Sequence, residues 1–112
     1  MNPIPSQYKP ILRALFEDDL AQITDHLIDN ASSKVAEQLM QAIDSQIALI
    51  SSHPEIYPIF EFEPSFRKMP IHNWRYVAFY TINEQKRQIV MTHIYHTSRD
   101  IYSIMRETSL LL

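Results

Sequence analysis

The stretch Trp74-Arg75-Tyr76-Val77-Ala78-Phe79-Tyr80-Thr81-Ile82-Asn83, followed by Glu84-Gln85-Lys86 and then Arg87-Gln88-Ile89-Val90-Met91-Thr92-His93-Ile94-Tyr95-His96, decides the fold. Both long segments are rich in β-branched and aromatic residues, and the polar triplet between them suits a hairpin turn. The spacing predicts one strand over Trp74 to Asn83 and another over Arg87 to His96. Alternation puts Tyr76, Ala78, Tyr80 and Ile82 on one face and Val77 and Phe79 on the other. Both faces are apolar, so a sheet covered on both sides is expected.

Upstream, Ser65 to Ile71 reads as a further strand. Before it, Tyr57-Pro58-Ile59-Phe60-Glu61-Phe62-Glu63-Pro64 is too punctuated by proline for a central strand and reads as an extended connector. The period changes toward the amino terminus. Phe16, Leu20, Ile23 and Leu27 share one helical face, predicting a helix from about Phe16 to Asp29, with Glu17, Asp18 and Asp19 at the positive end of its dipole. Val35, Leu39, Ala42, Ile43, Ile47 and Ile50 predict a second helix from about Ser32 to Ser51, started by Ser32 as cap or by Ser33 with Glu37. The short break at Asn30-Ala31-Ser32 makes the two an antiparallel hairpin. His53-Pro54 ends it. Pro10 to Leu15 fits a short edge strand, and Asp100 to about Leu110 a short final helix able to cover the second sheet face. The fold class expected is α+β: an N-terminal helical hairpin on a small antiparallel β-sheet, closed by a short C-terminal helix.

Composition narrows the chemistry. The chain has 112 residues, 46% of them hydrophobic, which fits a single domain spanning 1–112. It has no cysteine, so disulfides, thiolate catalysis and cysteine-ligated zinc are excluded. It has no glycine either, which excludes the P-loop, the Rossmann fingerprint and the G-x-S-x-G elbow. Turns then fall to Asn30, Asn73, Asn83 and the prolines. No cofactor is expected. His93 and His96 on one strand aim to opposite faces, so no metal site is expected from them. With neither a membrane-length apolar run nor an apolar leader, the expected location is the cytoplasm.

The net charge of −3 hides a division. Residues 1–64 carry three lysines and arginines against ten carboxylates, a balance of −7, while residues 65–112 carry seven against three, a balance of +4. Such a basic half suits nucleic acid or an acidic protein segment, or is simply a solvated face.

The helical hairpin with its Asp19-Leu20 pair, the strand Phe66-Arg67-Lys68-Met69-Pro70-Ile71, the strand Tyr76-Val77-Ala78-Phe79-Tyr80 and the closing Ile94-Tyr95-His96-Thr97-Ser98-Arg99-Asp100-Ile101 occur in the order seen in the ParE/RelE toxin superfamily. The chain resembles that superfamily over nearly its whole length. The resemblance implies a bacterial toxin held inactive by a cognate antitoxin, in a hetero-oligomer. Two activities are implied as alternatives. RelE-like members are ribosome-dependent mRNA endoribonucleases, needing a base, an acid and cations around the scissile phosphate. ParE-like members bind and inhibit DNA gyrase. RelE-like nucleases commonly carry arginine after the first aromatic of the Tyr76 strand, where this chain has Val77, and the His96 to Asp100 spacing is similar to the ParE branch. The ParE-like reading is therefore favoured, with an inactive relative as a third possibility.

Should the chain be a nuclease, the candidate residues are His96, Arg99, Arg75, Lys68, Arg67 and Tyr102. Imidazole suits proton transfer near neutrality. The four basic residues offer a phosphate-binding face, and Tyr102 lies near a stacking tyrosine of the RelE-like proteins. The plainer alternatives are a histidine hydrogen-bonded at a strand end, a solvated or antitoxin-binding basic patch, and Asp100 as the carboxylate opening the last helix.

Overall fold

The structure, a computed structural model, describes residues 7–100 and Ser103. The chain runs β1 (Lys9–Leu12), α1 (Ala14–Asn30), α2 (Ser33–Ser52), β2 (Arg67–Pro70), β3 (Tyr76–Asn83) and β4 (Gln88–His96). Two helices pack on a four-stranded sheet of order β1-β4-β3-β2, an α+β fold. The expected final helix and Tyr102 lie outside the described residues, save for the helical Ser103.

Both helices form where the apolar spacing places them. Ser32 caps α2, its hydroxyl accepting from the Val35 N–H at 3.1 Å, which satisfies one of the N–H groups a helix start leaves unpaired. Phe16 and Leu20 of α1 join Leu39, Ile43, Ile47 and Ile50 of α2 against Met69, Tyr76, Ala78, Tyr80, Ile89, Met91 and Ile94 of the sheet. Gln46 is buried in this layer with every polar atom used: its amide donates to Tyr57 Oη and the Pro70 carbonyl, and its Oε1 accepts from the His72 N–H. Satisfaction of that kind makes a buried amide tolerable and fixes α2 against the β2–β3 turn.

Three features of the sheet go beyond the sequence expectation. β2, β3 and β4 form the antiparallel meander, but β1 pairs with β4 in parallel, Lys9 beside Gln88 through Leu12 beside Met91. The sheet is therefore mixed. Two reversals leave β4 running in the direction of β2, and the helical hairpin returns the chain far enough for β1 to share that direction. The hairpin turn is longer than Glu84-Gln85-Lys86, because Arg87 belongs to it at φ 52° and the ladder restarts at Gln88. Without glycine, the left-handed positions fall to Asn73, at φ 70°, and Arg87. The guanidinium of Arg87 lies 4.5 Å from the Tyr8 ring, whose hydroxyl donates to Glu84 at 2.6 Å.

The third feature is a β-bulge. Phe79 pairs with His93 but Tyr80 with Met91, so Thr92 is extra, and its hydroxyl donates to the Phe79 carbonyl at 3.1 Å. One added residue exchanges the faces of everything beyond it. Ile89 and Met91 face the helices before the bulge, and Ile94 after it. His93 and Tyr95 consequently turn to the second face.

That face is covered among the described residues by the connector. Phe60 and Phe66 bury against Val77, Phe79 and Tyr95, with the Phe60 and Phe79 rings edge-on at 5.0 Å. The segment is a compact loop pinned by Phe60 N–H to Phe66 C=O, Phe66 N–H to Glu63 C=O and Lys68 N–H to Pro58 C=O. Tyr80 Oη donates to the Pro54 carbonyl at 2.7 Å, and burial pushes that phenol up to about 12.

Candidate functional site

A cleft of about 640 Å³ opens between α1 and the ends of β3 and β4. Asp19, Gln22, Ile23, His26 and Leu27 form its helical wall, Tyr76 and Ile94 to His96 its sheet wall, and Arg99 closes one end. The helical residues follow from period: 19, 22 and 26 lie along one stripe beside the apolar stripe that enters the core. His96 reaches the cleft because the bulge at Thr92 places it on the helix side, opposite Tyr76. Its ring meets Tyr76 edge-on at 5.3 Å.

Hydrogen bonds fix the chemistry of both strand histidines. The Ser98 N–H donates to His96 Nδ1 at 3.1 Å, and Ser98 Oγ lies 2.7 Å from the same nitrogen. An accepting Nδ1 places the proton of neutral His96 on Nε2. On the second face the order is reversed. The Thr92 hydroxyl spends its proton on the Phe79 carbonyl, so the 2.9 Å contact to His93 Nδ1 requires Nδ1–H as donor. His93 Nε2 is then a bare acceptor, buried without a hydrogen-bond partner among the described residues. Burial, reinforced by the charge of Arg13, holds the His93 pKa below its ordinary value.

Asp19 is the acidic group of the cleft. Removal from water raises its pKa, the Arg99 guanidinium counters in part, and neighbouring Asp18 adds to the rise. Arg99 itself stacks 5.4 Å over the Tyr95 ring. A carboxylate, a guanidinium and an imidazole held as an Nε2–H donor thus converge on one concave surface, a combination suited to polar recognition.

The other basic candidates lie elsewhere. Arg67 stands opposite Tyr80, and its guanidinium donates to the carbonyls of Tyr57 at 2.8 Å and Glu55 at 3.5 Å, bracing the connector. Arg75 precedes β3 and is exposed. The register separates it from Arg67 by five residues of β3, about 17 Å. Lys68 is exposed beside Pro58 and Phe60, on the second face. The structure thus brings together His96 and Arg99 in the cleft and leaves Arg67 and Lys68 apart from them, while Arg75, whose carbonyl accepts from the Thr97 N–H at 2.9 Å, stands beside this strand end but outside the cleft lining. Asp100 accepts from the Ser103 N–H at 3.2 Å and the Ser103 hydroxyl at 2.9 Å, the geometry of a carboxylate at a helix start. Sequence reasoning missed Gln22, His26 and Tyr76 as cleft residues, although the 19-22-26 spacing was available.

Among the described residues, no three His, Asp or Glu side chains are grouped as a metal ion would require, and His93 and His96 point to opposite faces. No described helix is long and apolar enough to cross a membrane.

Residues 11–101 match the family model described as the ParE toxin of the type II toxin-antitoxin system parDE. The chain belongs to the ParE toxin family. Comparison with curated proteins finds no significant match. Among solved structures, the chromosomal ParDE TA system from P. aeruginosa is similar with a TM-score of 0.69 and 17% identity, over 81% of this chain and 97% of that one. At that identity the likeness speaks for the fold. Membership in the ParE family makes this chain the toxin of a type II toxin–antitoxin pair, with an antitoxin as its partner.

Proposed function

We propose that this ParE-family toxin arrests growth by binding DNA gyrase and inhibiting it, without cutting RNA. The observation that carries this reading is the state of His96. Its Nδ1 lone pair is committed to Ser98, so the neutral ring offers the cleft a hydrogen-bond donor and no general base. Two further placements support it. Val77 is 1% exposed among Phe60, Phe66 and Phe79, where a charged side chain would be costly, and Arg67 is occupied by connector carbonyls. The cations a phosphoryl transition state would need are dispersed over two faces of the sheet.

The convergence of His96, Arg99 and Asp19 in one cleft favours a second reading, a ribosome-dependent endoribonuclease in which protonated His96 is the acid and Arg99 neutralises phosphate. Inducing the toxin alone in a bacterial host should arrest growth, and co-expression of the neighbouring gene's product should restore it, with acidic antitoxin residues meeting the basic half of the sheet. Under the gyrase reading, arrested cells retain intact messages. Cleaved messages that become intact again with folded His96→Ala or Arg99→Ala would establish the second reading instead.

A further inference from the structure

The connector between α2 and β2 presents apolar side chains to solvent on a rigid mount. Ile56 and Ile59 are 51% and 52% exposed. Ile56 lines a hollow of about 420 Å³ with His53, Pro54 and Glu55, and Ile59 lines a second of about 250 Å³ with Pro58 and Glu61. Neither isoleucine sits on a floppy loop. Ile56 N–H donates to the His53 carbonyl, the carbonyls of Pro54 and Tyr57 are taken by Tyr80 Oη and Arg67, and Pro58 C=O is taken by Lys68 N–H. Buried Phe60 anchors the same segment in the second core layer. The exposed halves of the two isoleucines are apolar surface that folding leaves in water. Held in place beforehand, they lose little entropy when a partner covers them.

Charge indicates what covers them. Residues 53–66 contain Glu55, Glu61 and Glu63 and no lysine or arginine, within the half of the chain whose balance is −7. Lys68 is the cation at the edge of the second hollow. A surface of isoleucines among carboxylates is complementary to an apolar segment flanked by Lys or Arg. We propose that the Ile56–Glu63 surface is a docking site for a cationic, apolar segment of the antitoxin, additional to any acidic antitoxin segment that meets the basic sheet. This assignment rests on the toxin–antitoxin reading, which supplies the antitoxin as the partner.

The test is calorimetric titration of purified toxin with the purified product of the neighbouring gene. Variants are Ile56→Ser, Ile59→Ser and the charge reversal Glu61→Lys, each checked by thermal melting. These positions are solvent-facing, so the fold should persist, and Glu61→Lys keeps the test decisive if a serine variant melts early. Each variant should weaken binding about tenfold or more, and added salt should weaken the wild type more than Glu61→Lys. Wild-type binding with all folded variants within twofold of it overturns the docking site and leaves the toxin–antitoxin reading intact. A wild type that does not bind overturns both.

Discussion

The two strand histidines hold their protons on opposite ring nitrogens. His93 is held as the Nδ1–H tautomer with a bare, buried Nε2, and neutral His96 as the Nε2–H tautomer. Nitrogen chemical shifts of the two rings at pH 8 should show opposite tautomers. The His93 pKa is lowered in the folded state, so the unfolded chain takes up this proton first as pH falls. The His93 contribution to stability is whole above about pH 6.5 and declines as pH drops through that value toward the folded pKa. Denaturant unfolding of His93→Phe should flatten the decline between pH 7 and pH 5, because phenylalanine keeps the edge contact with Phe66, 5.4 Å between ring centroids, and cannot titrate. For Asp19 the sign is opposite. Its carboxyl is raised mainly by desolvation, so the unfolded chain ionises first as pH rises, and stability is lost above about pH 4. Asp19→Asn should therefore raise the melting temperature slightly at pH 7 and leave it unchanged at pH 3. Solvent screening keeps the gain within about 1 kcal/mol. A residue that costs stability and lines the cleft beside His96 and Arg99 fits a binding role, so the same variant should weaken toxicity.

Among the elements, the decisive device is the bulge at Thr92. Deleting Thr92 would remove the extra residue and leave an unbroken ladder, Tyr80 beside Met91 and Phe79 beside His93, with every side chain beyond it on its present face. The deletion variant should therefore fold, and unfolding by urea should show a loss of no more than about 3 kcal/mol, from the lost Thr92 hydroxyl bond and the straightened strand. Nothing in Thr92-His93-Ile94 marks a bulge, because no glycine or proline stands there and both faces are apolar. Alternation alone could not reveal it. The helices were legible for the opposite reason: Phe16, Leu20, Val35, Leu39 and Ile43 repeat at helical spacing, and Ser32 marks a start. β1 was legible as an edge strand, but its parallel pairing with β4 depends on where the helical hairpin returns the chain, which no local pattern records. The connector was read as a linker on its prolines. Phe60 in it, and Phe66 in the adjoining stretch read as the start of a strand, were the available sign of a second core layer.

For the whole molecule, the division of charge along the sequence and the cleft at one end of the sheet together describe a protein built to be gripped. The superfamily was legible because its motifs are ordered along the chain, and ordered motifs survive where overall identity does not. The site was only partly legible. His96 and Arg99 were recognisable, whereas Asp19, Gln22, His26 and Tyr76 join them through packing of α1 over β3 and β4. The central claim is that this toxin binds gyrase and leaves RNA intact. The most direct measurement places one preparation of purified toxin in a gyrase supercoiling reaction and in a ribosome translation reaction with labelled mRNA, each with and without the antitoxin. The account predicts loss of supercoiling at stoichiometric toxin, reversed by antitoxin, with full-length mRNA throughout. Supercoiling unaffected while the mRNA is cleaved on the ribosome would contradict it.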